Sequence, residues 1–112
     1  SAGQVLSFNN SNKAFFTPEL FEPLQGYIIH ANKSASIMVN GRKLPDRQPQ
    51  LYGGMNLIGI PALSDRHIAL WYSNVSVFLF DGAWQSYDSF RKSEHNDFAV
   101  LRPGAAYWVK KK

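Results

Sequence analysis

One nine-residue pattern occurs twice in this sequence, without a gap. Phe21-Glu22-Pro23-Leu24-Gln25-Gly26-Tyr27-Ile28-Ile29 reads against Leu101-Arg102-Pro103-Gly104-Ala105-Ala106-Tyr107-Trp108-Val109. An apolar residue, a charge, Pro, two spacers, a small residue, Tyr and two large apolar residues recur in one order. A repeat of this kind organises a fold before local propensity does. It predicts two related halves, about 4–41 and 51–109, joined by a linker at 42–50 that holds two prolines and many polar residues. Tyr27 and Tyr107 are expected at matching positions.

At 112 residues the chain is one domain, 4–112, with Ser1-Ala2-Gly3 read as a tag scar. Apolar residues make up 45% and aromatics 14%, which excludes a disordered polar chain. No apolar run reaches the ~20 residues that span a bilayer as a helix. With no cysteine, disulfides and thiolate sites are ruled out. The net charge of +4 owes three of its cations to Lys110-Lys111-Lys112, so it argues only weakly for a nucleic-acid partner.

Eight Gly, six Pro and abundant aromatics favour short strands and turns. Strands are expected at Gln4–Phe8, Ala14–Phe16, Gly26–Ala31, Ser34–Val39, Met55–Ile60, Val75–Phe80, Ala83–Tyr87 and Ala106–Lys110. Turns are expected at Asn9–Asn12, Asn40-Gly41 and Asp81-Gly82. Thr17-Pro18-Glu19 predicts one turn of helix, stopped by Pro23. Ile68–Tyr72 reads as strand or short helix, and Ala62–His67 and Ser89–Asp97 as polar loops. The fold class predicted is all-β, a compact antiparallel sandwich or small barrel of eight to ten strands in two pseudo-symmetric halves.

Gly54-Met55-Asn56-Leu57-Ile58-Gly59-Ile60-Pro61 resembles the "GWNLIGIP" strand of a tandem β-repeat module found in secreted and cell-surface multidomain proteins of archaea and bacteria. In that family a hairpin "F/Y-D-G-x-W-x-x-Y" and a strand "L-x-P-G-x-G-Y-W-V" follow. Phe80-Asp81-Gly82-Ala83-Trp84-Gln85-Ser86-Tyr87 is similar to the first, and Leu101 to Val109 to the second. The first half carries only the later part of a unit, from a hairpin at about Phe8. Met55 stands for the usual Trp, Ala106 for the second Gly, and Leu24 for the Gly after Pro. The resemblance implies an extracellular or cell-surface scaffold without catalytic machinery, attached to other domains of a larger protein.

The residues themselves show no convergent chemistry. His30, His67 and His95 lie on separate segments without metal-ligand spacing. Glu94, Asn96 and Asp97 form the densest polar cluster, read as a solvated loop before a Ca²⁺ site. Asp65, Asp81, Asp88, Glu94 and Asp97 supply carboxylates, but nothing selects a catalytic pair. There is no nucleophile elbow and no phosphate loop. No enzyme activity, cofactor or metal is expected. Sequons at Asn9, Asn32 and Asn74 mark possible N-glycosylation.

The remaining signal is aromatic. Trp71, Tyr72 and Trp84 are the expected ligand-binding residues of a non-catalytic structural or adhesion module of an exported or particle-surface protein. Its partner would be a glycan or a surface protein. The alternative is a single-stranded nucleic-acid-binding β module, using the same aromatics with Arg66, Arg91, Lys92 and Arg102.

Overall fold

The computed structural model describes residues 4–20, 24–30, 48–60 and 64–112. The expected strand at Ser34–Val39, the Asn40-Gly41 turn, Asn32 and most of the 42–50 linker lie outside the described residues. The fold is all-β, and every strand pairing is antiparallel. The strands are β1 (Gln4–Asn9), β2 (Ala14–Phe16), β3 (Tyr27–His30), β4 (Gly54–Gly59), β5 (Arg66–His67), β6 (Val75–Phe80), β7 (Trp84–Asp88), β8 (Val100–Leu101) and β9 (Ala106–Lys111). They form sheets of order β2-β1-β3, β4-β9-β6-β7 and β5-β8, with no closed barrel among the described residues.

One short element departs from expectation, and another settles on one of its two expected forms. Thr17–Leu20 is coil and bend rather than a helical turn. A helix nucleus is costly, and a segment fenced by Pro18 and Pro23 cannot propagate one. Ile68–Trp71 resolves as a single helical turn, α1, closed by Tyr72 N–H on Ile68 O at 2.8 Å. The polar loops also carry some structure: β5 pairs with β8, and Ser93–His95 forms a 3₁₀ turn.

Both halves contain a hairpin followed by a strand that returns to the hairpin's first strand. The order is β2-β1-β3 in one and β7-β6-β9 in the other. The register agrees too. Leu6 faces Ile28 as Phe78 faces Trp108, and Val5 faces Ile29 as Val77 faces Val109. Each hairpin carries an aromatic cross-strand pair. Phe8 meets Phe15 edge-on at 5.0 Å, and Phe80 meets Trp84 edge-on at 5.2 Å. The residue after the proline of each motif copy is left-handed. Gly104, after Pro103, has φ 85°, and Leu24, after Pro23, has φ 68°. Tyr27 and Tyr107 each follow the small residue of their motif, but Tyr107 is buried and Tyr27 is half-buried. The Tyr107 hydroxyl accepts Arg102 N–H at 2.8 Å, tying the strand back to its own turn.

The four-stranded sheet has two faces, because side chains alternate along each strand. One face carries Asn56, Ile58, Val75, Val77, Tyr107 and Val109. It packs on Ile60, Ile68, Tyr72 and Leu101 to make the core. Each fully buried aliphatic side chain there contributes about 1.5–3 kcal/mol. Asn56 is fully buried among them, and its amide is saturated. Oδ1 accepts Tyr52 N–H, and Nδ2 donates to Tyr52 O, Gly54 O and Val109 O. It fixes the entry to β4 against the end of β9.

Both outer edges of this sheet are covered. On β7, Ser86 N–H donates to Asp97 Oδ2 and Asp88 N–H donates to Asn96 Oδ1, so loop side chains take the place of a neighbouring strand. On β4, the first half takes that place. Gln25 bridges Ile58, Gly59 N–H donates to Leu24 O at 3.1 Å, and the Asn10 amide pairs with Leu57 as a peptide would, donating to its O and accepting its N–H. The approach is close. A Cβ on Gly26 would lie 2.6 Å from Leu57 Cγ, and one on Gly59 would lie 2.8 Å from Gln25 O.

Candidate functional site: an aromatic groove on the outer sheet face

The other face of the four-stranded sheet carries Met55, Leu57, Trp108, Phe78, Phe80 and Trp84, because these residues share register positions across β4, β9, β6 and β7. Phe8 and Phe15 of the first hairpin cover part of it. Their rings meet Trp108 edge-on, at 5.1 and 6.1 Å. The cover is incomplete. It leaves a groove of about 470 Å³ lined by Phe8, Phe15, Met55, Phe78, Trp84 and Trp108. No charged side chain lines it, and its walls present no polar surface.

Trp84 stands at the rim, 62% exposed, with Phe15 55% exposed across from it. Trp84 is held on a paired strand rather than a loop, and Phe80 braces its ring. An indole left in water on a rigid strand is the kind of group that contributes most when a partner covers it.

A second depression, of about 590 Å³, adjoins the groove and shares Trp108 with it. It runs between Tyr27 and Ile28 of the first half and Phe80, Asp81 and Arg102 of the second. Among the described residues Arg102 pairs with Asp65, at 4.0 Å, with both side chains largely in water, so that pair is weak.

The three aromatics expected at a binding surface are not brought together. Tyr72 is 8% exposed, and its hydroxyl donates to Pro49 O at 2.6 Å. Burial pushes its ionisation well above the ordinary tyrosine range. It is a core residue, because the turn of α1 directs it inward beside Ile68. Trp71 is half-buried against the same core and meets Tyr72 edge-on at 6.4 Å. Trp84 alone lies in the groove. Its neighbours Phe15, Phe78, Met55 and Trp108 were not singled out from the sequence. The signal for one of them is present: antiparallel pairing through the Asp81-Gly82 turn sets Trp84 opposite Phe80, and Phe78 then falls on the same face.

The polar candidates serve the scaffold. The Asp88 carboxylate accepts from Lys112 Nζ at 2.6 Å, Phe90 N–H at 2.9 Å and Ser76 Oγ at 3.1 Å. The bond from Lys112, helped by the backbone N–H of Phe90, lowers its pKa to about 2. Asp97 and Asn96 are engaged along β7, as described. His95 lies 3.9 Å from Glu94, both largely in water. No group of three or more His, Asp or Glu converges for a metal among the described residues. Tyr107 is raised above the ordinary tyrosine range, chiefly by burial.

Of the sequons, Asn74 is exposed with φ 57°. The Asn9 Oδ1 caps its own turn, accepting Ser11 N–H and Oγ–H and Asn12 N–H. No helix among the described residues is long and apolar enough to cross a membrane.

Comparison with known proteins gives no match: no family model fits the chain, and no curated protein or solved structure is significantly similar to it.

Proposed function

We propose that this chain is a non-catalytic module of an exported or particle-surface protein, and that it holds another protein through the aromatic groove. The carrying observation is Trp84, exposed at the mouth of a groove lined by six apolar side chains on paired strands. A soluble protein gains nothing by leaving Trp84, Phe15 and Phe80 together in water. Their arrangement is useful if a partner's apolar side chain completes the groove. The repeated hairpin-and-return-strand topology supports a scaffold reading, with the chain holding one unit and the later part of another.

Two rival ligands fit less well. A glycan would stack on Trp84, but its hydroxyls need hydrogen-bonding side chains, and the groove's walls present no polar surface. A single-stranded nucleic acid needs cations tracking its backbone beside the aromatics. Arg91 is tied to Ser86 Oγ and His95 O, and Arg102 faces Asp65. Neither lines the groove, and the two lysines near it, Lys13 and Lys110, stand only at its Met55 end rather than along its length.

The test is a binding measurement with Trp84→Ala against Leu70→Ala as control, since Leu70 is 80% exposed and outside the groove. With apolar peptide probes, Trp84→Ala should abolish binding and Leu70→Ala should leave it unchanged. Equal effects of the two variants would overturn the reading.

A further inference from the structure

The groove is apolar along its walls, but its Met55 end is charged. Lys110 pairs with Met55 and with Ser76, so it lies two residues beyond Trp108 on the groove's own face of the sheet. Lys13 reaches the same end from the first hairpin. Its Nζ donates to Met55 O at 2.8 Å and to Asn10 O, and its chain runs beside Gly54. Neither lysine has a carboxylate partner among the described residues. The acid on this face, Asp88, is already neutralised by Lys112 at 2.6 Å. Two cations without a carboxylate partner among the described residues therefore stand at the Met55 end of the groove.

From this juxtaposition, and resting on the protein-binding reading above, we infer that the partner is an acidic segment with one apolar anchor. The anchor side chain fills the space between Phe15, Trp84 and Trp108. Carboxylates flanking it face Lys13 and Lys110. Charge of this kind selects the partner and speeds encounter, while the buried anchor sets the lifetime of the complex. The separation is short: two strand residues, about 7 Å, divide Trp108 from Lys110. An acid one to three residues from the anchor spans it. A polyanion without an anchor would reach the lysines and leave the groove empty. A neutral apolar segment would fill the groove and leave the lysines unused.

The experiment uses three capped peptides, EELFEE, QQLFQQ and EESSEE, titrated into the full chain at low salt and followed by fluorescence anisotropy. EELFEE should bind at least fivefold tighter than QQLFQQ, with the gain shrinking as salt is raised, and EESSEE should not bind. Lys110→Glu should weaken EELFEE at least threefold and leave QQLFQQ unchanged. Lys13→Gln should act in the same direction, and near-ultraviolet circular dichroism would show that both variants keep the native fold. Equal affinity for EELFEE and QQLFQQ, both lost in Trp84→Ala, would overturn the acidic preference and leave the protein-binding reading standing. Failure of both peptides would overturn the two together, as would Trp84-dependent binding of oligo-dT or of a neutral oligosaccharide in their place.

Discussion

Leu24 and Gly104 occupy the same place in the two copies of the repeated motif and share a left-handed backbone, at φ 68° and 85°. Gly104 does so without cost, as the third residue of a Pro-Gly turn closed by Ala105 N–H on Arg102 O. Leu24 carries a Cβ into a region that disfavours one. Its carbonyl is also the acceptor for Gly59 N–H, so the strained residue lies at the seam between the halves. Leu24→Gly should raise stability by about 1 kcal/mol, and Gly104→Leu should lower it by about 1–2 kcal/mol. Urea midpoints at constant slope measure both.

The seam itself depends on two glycines. A Cβ at Gly26 meets Leu57 Cγ, and Leu57 is too buried to move aside. A Cβ at Gly59 meets the backbone oxygen of Gln25. Gly26→Ala and Gly59→Ala should each cost about 1–3 kcal/mol. The double variant should cost less than the sum, because one separation of the two halves relieves both clashes. Additive losses in a thermal or urea cycle would show that the two contacts are independent.

Asn56 is the most demanding polar residue in the core. Replacing it with Leu strands Tyr52 N–H and three carbonyls away from water, and should cost about 2–4 kcal/mol. Asn56→Asp should be as damaging, because a carboxylate cannot donate to Tyr52, Gly54 and Val109. Unfolding curves for the two variants check this, with amide exchange at Tyr52 and Leu57 showing where the structure loosens.

Asp88 makes stability depend on pH in the acid range. Its folded pKa is about 2, below the ordinary 3.8, so its contribution is complete above about pH 4 and is lost as pH falls toward 2. Lys112→Met should raise the Asp88 pKa toward the ordinary value and flatten that acid limb. Carboxyl carbon shifts of Asp88 followed by NMR give the pKa in both proteins directly.

Much of this fold can be read from residue order. Alternating apolar residues mark β1, β6 and β9. Asp81-Gly82 marks its hairpin, with Gly82 at φ 73°. The proline motif foreshadows the shared return strands. What could not be read was pairing between distant segments. Nothing local says that Asn10 completes an edge of β4, or that Asn96 and Asp97 cover β7. The same limit hid the groove. Trp84 stands out in the sequence as an aromatic on a polar strand, but Met55 joins it only through the pairing of β4 with β9, and Phe15 only because the first half docks through Gly26 and Gly59. Tyr72 looked equivalent to Trp84 because composition does not tell which way one helical turn will point a ring.

The groove, and not the Trp71 side of the molecule, is the proposed seat of a partner. The chain has three tryptophans, and each indole N–H gives its own NMR signal. On titration with EELFEE, the signals of Trp84 and Trp108 should shift while that of Trp71 stays in place. Movement of Trp71 alone, or no movement of any of the three at saturating peptide, would rule the groove out as the binding site.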